Sequence, residues 1–185
     1  MGCAAAHTVA VSPIGNLQPE LTAAVCGAVE RIFNLPTAVL PLMDSVDFAF
    51  DPTREQYHST LILEKLASLA PSEAFKVLAL VGVDLFIPIL TYVYGEAQLG
   101  GRACVVSVHR LDEGLATAVQ KALLPARVAK EAAHELAHTF DLRHCKDPAC
   151  IMHYCRTIHD VDRKSDRLCR YCRTLLNDEL KRTGR

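Results

Sequence analysis

The twelve residues HELAHTFDLRHC, His134 to Cys145, decide how this sequence is interpreted. His134 and His138 are four residues apart, so on a helix their side chains project from the same face, about one turn apart. A single metal ion can be held between two such rings, and Glu135 is placed to reach a water on that metal rather than the metal itself. The Ala-rich stretch from Ala126 to Asp141 favours a helix here. The pattern therefore predicts a helix that carries a metal site.

A third ligand for this site would come from His144, six residues beyond His138. For its ring to face the same metal, the chain must leave the helix sharply near Asp141. Three imidazoles and a water molecule make an open tetrahedral zinc site, which is typical of catalytic rather than structural zinc. Such a metal lowers the pKa of its water from about 15.7 to about 7. The sequence predicts a water-activating zinc held by His134, His138 and His144.

A second metal-binding pattern follows directly. Four cysteines have the spacing of a tetrathiolate zinc site, and the last two form a Cys-x-x-Cys pair: Cys145, Cys150, Cys169 and Cys172. Their neighbours are polar and basic, so the segment lacks the apolar residues needed to bury four reduced thiols. Cys155 is a competing ligand for one of the four places. The two patterns together predict two Zn²⁺ per chain, one catalytic and one structural.

Length and composition limit the class of protein. The chain has 185 residues, of which 50% are hydrophobic and 22% charged, which predicts one folded domain over 1–185 and excludes an intrinsically disordered chain. The formal net charge of −1 makes nucleic acid an unexpected partner, and nothing suggests an oligomer, so we expect a monomer. The longest apolar run, 77–94, is interrupted by Gly82, Asp84 and Pro88, which excludes a membrane span. The amino terminus, MGCAAAHTVAV, lacks secretory features, and clustered cysteines fit a reducing compartment, so we expect a cytoplasmic protein.

Strand and helix patterns alternate along the first two thirds of the chain. This predicts an α/β (or α+β) fold with a mixed, mostly parallel twisted sheet and an antiparallel edge strand. We expect an N-terminal subdomain, 1–141, with the sheet and the active-site helix, and a zinc-stapled C-terminal subdomain, 142–185, that ends in a helix. The stretch 43–57 is predicted to be a loop or edge strand. The predicted strands are 7–12, 37–42, 76–83, 92–97 and 103–109, and the predicted helices are 17–33, 59–69, 126–141 and 166–181.

These motifs resemble the signature of the archaemetzincins, zinc metallopeptidases of the metzincin clan. The resemblance rests on HELAHTFDLRHC, Cys-Ile-Met at 150–152 and Cys-Arg-Tyr-Cys at 169–172, and it extends upstream through DPTREQYHST, VGVDLFIPILTYVYGEAQLGG and ACVVSVHRL. It implies a metzincin-like fold that hydrolyses peptide bonds in a peptide or protein substrate. It makes Glu135 the general base, the three histidines the catalytic zinc ligands and the four cysteines the structural zinc ligands. Met152 becomes the methionine of the Met-turn, the hydrophobic floor beneath the catalytic zinc.

Two departures from the family pattern are visible. Where the family has glycine at the turn out of the helix, this chain has Asp141. Asp tolerates the left-handed conformation better than most residues, so we expect a positive φ at Asp141 at some cost in stability. The spacer between Met152 and Cys169, 16 residues, is also slightly shorter than the family's. Neither change removes a ligand.

Substrate contacts are predicted on the edge strand and beside the Met-turn. In a metzincin-like layout the edge strand binds extended substrate through backbone hydrogen bonds, and Tyr94, Gly95, Glu96 and Ala97 are the candidates, with Gly95 allowing close approach. An ordinary solvent-exposed edge is the alternative. Tyr154 is a candidate hydrogen-bond donor to a developing oxyanion, against the plainer role of packing on the turn.

Two other functions compete with a peptidase. Residues 126–185 carry 13 basic and 9 acidic residues, whereas 1–125 carry 7 and 12. A zinc-organised binding module could use this basic region to contact an acidic partner such as nucleic acid, but that function gives no reason for HExxH with a third histidine. A fold that keeps both metals and has lost useful turnover is the other alternative.

Overall fold

The computed structural model describes residues 7–183. Cys3 and the rest of the first six residues, part of the predicted domain, lie outside the described residues, as do the last two. The strands are β1 (Thr8–Pro13), β2 (Thr37–Val39), β3 (Phe50–Asp51), β4 (Gln56–His58), β5 (Ala74–Val81), β6 (Leu85–Phe86), β7 (Gly95–Ala97) and β8 (Ala103–Ser107). The helices are α1 (Pro19–Phe33), α2 (Ser59–Leu69), α3 (Ala118–Lys121), α4 (Leu124–His138), α5 (Ile158–Arg163) and α6 (Arg170–Arg182).

The main sheet has five strands in the order β2-β1-β5-β8-β7. The first four run parallel, and β7 pairs antiparallel to β8 with Gly95 opposite Val106. This confirms the predicted α/β fold with a mostly parallel sheet and an antiparallel edge strand. The antiparallel strand lies at the open edge of the sheet, next to the strand that faces α4.

Alternation along β5 explains why its sequence is apolar throughout. Leu78 and Leu80 face the layer of α1 and α4, whereas Val77 and Ala79 face α2. A strand covered on both faces needs apolar residues at successive positions. The active-site helix α4 is therefore held against one face of the sheet by a continuous core.

The C-terminal segment packs on the same core. Ile151 and Met152 are fully buried, and Leu176 of α6 joins them. The last helix begins at Arg170, not near 166 as predicted, because Cys169 donates its backbone N–H to Cys150 Sγ at 3.3 Å and serves as the N-cap. The short helix α5, closed by a capping box between Thr157 and Asp160, was not predicted.

Several predicted boundaries differ from the structure. The second strand stops at Val39, and the edge strand is limited to Gly95–Ala97 because Val93 pairs with Leu85 of β6 instead. The stretch predicted as a loop or edge strand, 43–57, contains β3 and the first two residues of β4, and these strands form a second, small sheet with β6. Helix α4 begins at Leu124, with Pro125 in its first turn, and ends at His138. Among residues 7–183, no helix combines the length and apolar content needed to cross a lipid bilayer.

Candidate metal centre and substrate cleft

Three imidazoles converge at the end of α4. His134 is buried, His138 is half-buried and His144 is exposed. Their candidate ligand atoms all lie within 4.8 Å of one another, and the Nε2 atoms of His134 and His138 are 3.2 Å apart. The structure therefore brings together the three histidines that the sequence motif singled out.

A tight turn after α4 brings His144 back to the helix. Asp141 has a φ of 60°, as expected, and its N–H donates to the carbonyl of His138 at 2.9 Å. Leu142 N–H then donates to Ala137 O at 3.3 Å. These bonds satisfy carbonyl groups that a helix end leaves unpaired. The left-handed residue thus reverses the chain where the third histidine requires it.

Lys76 of β5 holds the C-terminal end of α4 through hydrogen bonds. Its ammonium donates to the carbonyls of Thr139 at 2.7 Å and Gly101 at 2.6 Å, and it lies 4.6 Å from the Phe140 ring centroid. A cation at a helix C-terminus interacts favourably with the unpaired carbonyls there. Burial lowers the pKa of Lys76 to about 8. This lysine ties the turn out of α4 to the sheet.

Backbone carbonyls orient two of the imidazoles. His134 Nδ1 is 2.9 Å from Ile151 O, and His138 Nδ1 is 2.6 Å from Leu142 O. Because a carbonyl only accepts, each Nδ1 carries the proton and each Nε2 keeps a free lone pair toward the cluster. Burial lowers the pKa of His134, of His138 (to about 4) and of His144. Two neutral imidazoles with lone pairs turned to the cluster, together with the neighbouring ring of His144, fit a zinc ion.

Glu135 lies beside this cluster and is 8% exposed. Burial raises its pKa to about 8, and the nearby carboxylate of Glu131 adds to the increase. A divalent cation among the histidines would favour the ionised form instead. Glu135 also contacts Gly95 of the edge strand, where a Cβ would lie 2.6 Å from Glu135 Cγ. The carboxylate therefore lies between the histidines and β7.

A cleft of about 470 Å³ opens over the histidine cluster. One wall is β7 with the loop that precedes it, another is α4, and a third is the segment that follows Met152. Leu90, which lines the cleft from the loop before β7, is apolar and 39% exposed. The lining residues are Ile87, Leu90, Thr91, Tyr92, Val93, Tyr94, Gly95, Ala97, Leu99, Glu131, His134, Glu135, His138, His144, Tyr154, Cys155 and Arg156.

The edge strand presents backbone groups to this cleft. Tyr94 O accepts from Ser107 N at 2.8 Å, and Gln98 N donates to Ala103 O at 3.0 Å. Since alternate residues of an antiparallel strand bond to one neighbour, the N–H and C=O groups of Gly95 and Ala97 face the open edge. An extended chain could pair with them.

Glu96 is the predicted edge-strand residue that does not line the cleft. Its carboxylate accepts hydrogen bonds from Ser59 and Thr60 at the start of α2. Tyr94, Gly95 and Ala97, the other three candidates, do line it. The side chain of Glu96 fixes β7 to α2, because successive side chains of a strand point to opposite faces.

The four predicted cysteines form a second cluster. The sulfur atoms of Cys145, Cys150, Cys169 and Cys172 all lie within 4.8 Å of one another, and those of Cys145 and Cys169 are 3.8 Å apart. Cys172 N–H points to Cys169 Sγ at 3.5 Å. Among the described residues every cysteine is a free thiol, and four converging thiols suit a tetrathiolate zinc. Cys155 is not in this group; its thiol lies 3.6 Å from His153 O and lines the cleft.

Met152 and Tyr154 lie two residues apart in the chain segment between Cys150 and α5. Met152 is fully buried, and the residue before it, Ile151, supplies the carbonyl that orients His134. Tyr154 is 44% exposed, with its ring centroid 5.0 Å from that of His144. Tyr154 therefore lies beside one of the imidazoles, and Met152 lies in the core next to the residue that orients another.

Sequence reasoning missed a buried ion pair beside the cleft. Lys164 Nζ lies 2.6 Å from Glu131 Oε1, and the two side chains are 0% and 4% exposed. Glu131 precedes His134 by three residues, so its place on the same helix face was detectable from spacing. Lys164 lies in a segment distant in sequence, directly after α5, and no local sequence pattern predicts its contact with Glu131.

A sheet with an open antiparallel edge, beside a helix whose histidines converge with a third imidazole, defines a zinc metallopeptidase. The sequence model of peptidase family M54 matches residues 19–178. The chain belongs to this family, the archaemetzincins, which confirms the resemblance seen in the motifs.

Relatives and a solved structure agree with this assignment. The archaemetzincin of Haloquadratum walsbyi is 32% identical over 172 residues, covering 91% of this chain and 98% of the relative. That of Methanopyrus kandleri is 41% identical over 138 residues, covering 75% of each. The crystal structure of the M. kandleri archaemetzincin superimposes with a TM-score of 0.85 at 32% identity, over 97% of this chain and 98% of that one.

Proposed function

We propose that this chain hydrolyses peptide bonds in the cleft, with His134, His138 and His144 holding a catalytic zinc and Glu135 acting as general base. The observation that carries the proposal is the convergence of three neutral imidazoles within 4.8 Å, with a buried carboxylate beside them. When bound, zinc supplies Lewis-acid chemistry, which lowers the pKa of water and polarises a carbonyl oxygen.

Glu135 moves the proton in this proposal. Its carboxylate accepts a proton from the attacking water and then donates it to the leaving amine. Its buried position, shielded by β7, supports proton transfer without exchange with bulk water. Tyr154, at the edge of the cleft beside His144, would donate a hydrogen bond to the developing oxyanion.

The peptide would bind as an added strand along β7. The outward N–H and C=O groups of Gly95 and Ala97 would pair with it, and the lack of a side chain at Gly95 keeps Glu135 close to the bound backbone. The cleft is open, which supports an extended peptide or a protein segment as substrate.

The cysteine cluster supports a second, structural zinc, for a total of two Zn²⁺ per chain. In this proposal the zinc holds together a C-terminal subdomain, 142–185, through Cys145, Cys150, Cys169 and Cys172. Met152 is the methionine of the Met-turn in this subdomain. Its attachment matters for catalysis, because Ile151 orients His134 and the segment also carries His144. We further propose a monomer that acts in the cytoplasm, as the sequence predicts.

Two of the basic residues of 126–185 are not available to an acidic partner such as nucleic acid. Arg127 and Lys164, two of the cations counted there, are buried in ion pairs with Asp162 and Glu131. Both serve internal contacts and are withdrawn from any face that could meet phosphates, and a nucleic-acid-binding module gives no reason for the histidine cluster.

The proposal is tested with Glu135→Gln, which keeps the shape of the side chain and removes the base. Cleavage of a peptide library should fall by about 10²–10⁴-fold while metal analysis still finds both zinc ions. Glu64→Gln, an exposed change on α2, is the matched control and should cleave as the wild type does. A Glu135→Gln protein as fast as the wild type would overturn the proposed base. A zinc-loaded wild type that cleaves no peptide but binds nucleic acid with steep salt dependence would support the binding module instead.

A further inference from the structure

One part of the cleft, which we call the polar wall, carries polar side chains from both α4 and the segment before β7, and the proposed mechanism does not use them. Glu131 on α4, one turn before His134, and Tyr94, next to the edge strand, both line the cleft and are 3% and 7% exposed. Lys164 lies behind Glu131, fully buried. This wall contrasts with the exposed apolar lining at Leu90, because its polar groups are shielded from water by protein.

The charges on this wall are already matched. Lys164 and Glu131 form an ion pair at 2.6 Å, and apart from that pair their facing atoms have no hydrogen bond among residues 7–183. The thiol of Cys155 lies beside the ammonium. A charged substrate group that entered here would lose its hydration and find no free counter-charge. The wall therefore disfavours acidic and basic side chains.

The hydroxyl of Tyr94 is available as a donor. It is buried and has no hydrogen-bond partner within the described part of the chain. Burial raises the pKa of Tyr94, and the neighbouring Tyr92 and Glu131 add to the increase, so the phenol keeps its proton. A buried hydroxyl without a partner costs free energy that a bound acceptor would recover.

We propose that Glu131 and Tyr94 form a subsite that selects an uncharged carboxamide side chain, glutamine or asparagine, in the peptide. The inference rests on the proposed function, because it takes the occupant of the cleft to be a peptide. A carboxamide carries a donor and an acceptor side by side: its NH₂ donates to the Glu131 carboxylate, and its oxygen accepts from the Tyr94 hydroxyl. An apolar side chain of equal size would leave the Tyr94 hydroxyl without a partner and would add no hydrogen bond to the Glu131 carboxylate.

Peptide binding tests this subsite without turnover. Short alanine-based peptides, in which glutamine or methionine, and asparagine or leucine, occupy each position in turn, are titrated into zinc-loaded Glu135→Gln protein by calorimetry. At one position the carboxamide peptide should bind about tenfold more tightly than its apolar match. Preferences within about twofold at every position, or a preference for the apolar peptides, would overturn the subsite.

Tyr94→Phe removes only the unpartnered hydroxyl, so the fold should be retained. In that background the carboxamide preference should fall to within about twofold, whereas Tyr171→Phe, an exposed control on α6, should leave it intact. A preference that survives Tyr94→Phe would contradict the assignment. If the wild type binds carboxamide peptides selectively but hydrolyses none, the proposed function fails and the subsite stands. Cleavage without carboxamide preference overturns the subsite alone.

Discussion

Gly95 and Glu135 touch across the gap between β7 and α4. A Cβ on Gly95 would lie 2.6 Å from Glu135 Cγ and 2.6 Å from Val105 O, closer than carbon atoms pack in proteins. The edge strand can therefore pass beside the carboxylate only where a residue has no side chain. This contact couples the strand proposed to bind substrate to the residue proposed to move the proton.

Gly95→Ala should disturb the contact between the edge strand and Glu135. Because neither Val105 nor the helix backbone can yield, the added methyl group displaces the Glu135 side chain or the strand, at a stability cost of about 1–3 kcal/mol. We expect kcat/KM for peptide cleavage to fall at least about tenfold with zinc content unchanged. Gly27→Ala in α1, where no atom lies within 4 Å of the new Cβ, is the matched control and should retain activity. Wild-type kinetics for Gly95→Ala would show that the contact is irrelevant.

The two metal clusters should lose their ions independently. His138→Ala and Cys169→Ala each remove a candidate ligand from a different cluster, so metal analysis should find one zinc fewer in each variant. The cysteine variant should unfold at lower denaturant concentration, since the thiolate cluster ties α6 to the turn at Cys150. His159→Ala, exposed on α5, should keep both ions. Loss of both ions from His138→Ala would mean that the sites are not separate.

Asp141 holds a left-handed conformation that glycine adopts without strain. With φ at 60°, Asp141→Gly should raise the free energy of unfolding by up to about 1 kcal/mol, and Asp141→Ala should lower it. Both variants should keep the histidine-bound zinc, because the side chain itself ligates nothing. Urea unfolding with metal analysis measures both quantities. A destabilised Asp141→Gly protein would indicate that the carboxylate, rather than the backbone, holds the turn.

What the sequence predicts well is local. Helical spacing places His134, Glu135 and His138 on one face, and the short distance to His144 implies the turn that Asp141 makes. The alternation of strands and helices likewise predicts the mostly parallel sheet. These relations lie within one element or between neighbours in the chain.

What the sequence does not predict depends on contacts between distant segments. Glu96 points to α2 because its position in β7 places its side chain on that face of the sheet, and no local sequence pattern predicts which face that is. Lys164 reaches Glu131 only after the C-terminal segment has packed on α4. The start of α6 is displaced because Cys169 binds Cys150 rather than joining the helix. Each of these features becomes visible only when the tertiary structure is known.

In the metal-free protein, the buried histidines should make the free energy of unfolding depend on pH. Burial lowers the pKa of His138 to about 4, against about 6.5 in an unfolded chain. Between these values the unfolded chain binds a proton that the folded chain does not, so the free energy of unfolding rises with pH across this window and falls on acidification. For His138 the loss between pH 7 and pH 5 is about 2 kcal/mol, and the lowered pKa of His134 acts in the same direction. His138→Gln, which does not titrate, should show a shallower pH dependence when both proteins are freed of histidine-bound metal and unfolded in urea. Identical slopes for the two proteins would mean that His138 has the same pKa in the folded and the unfolded chain, so that the fold does not keep its ring neutral in acid.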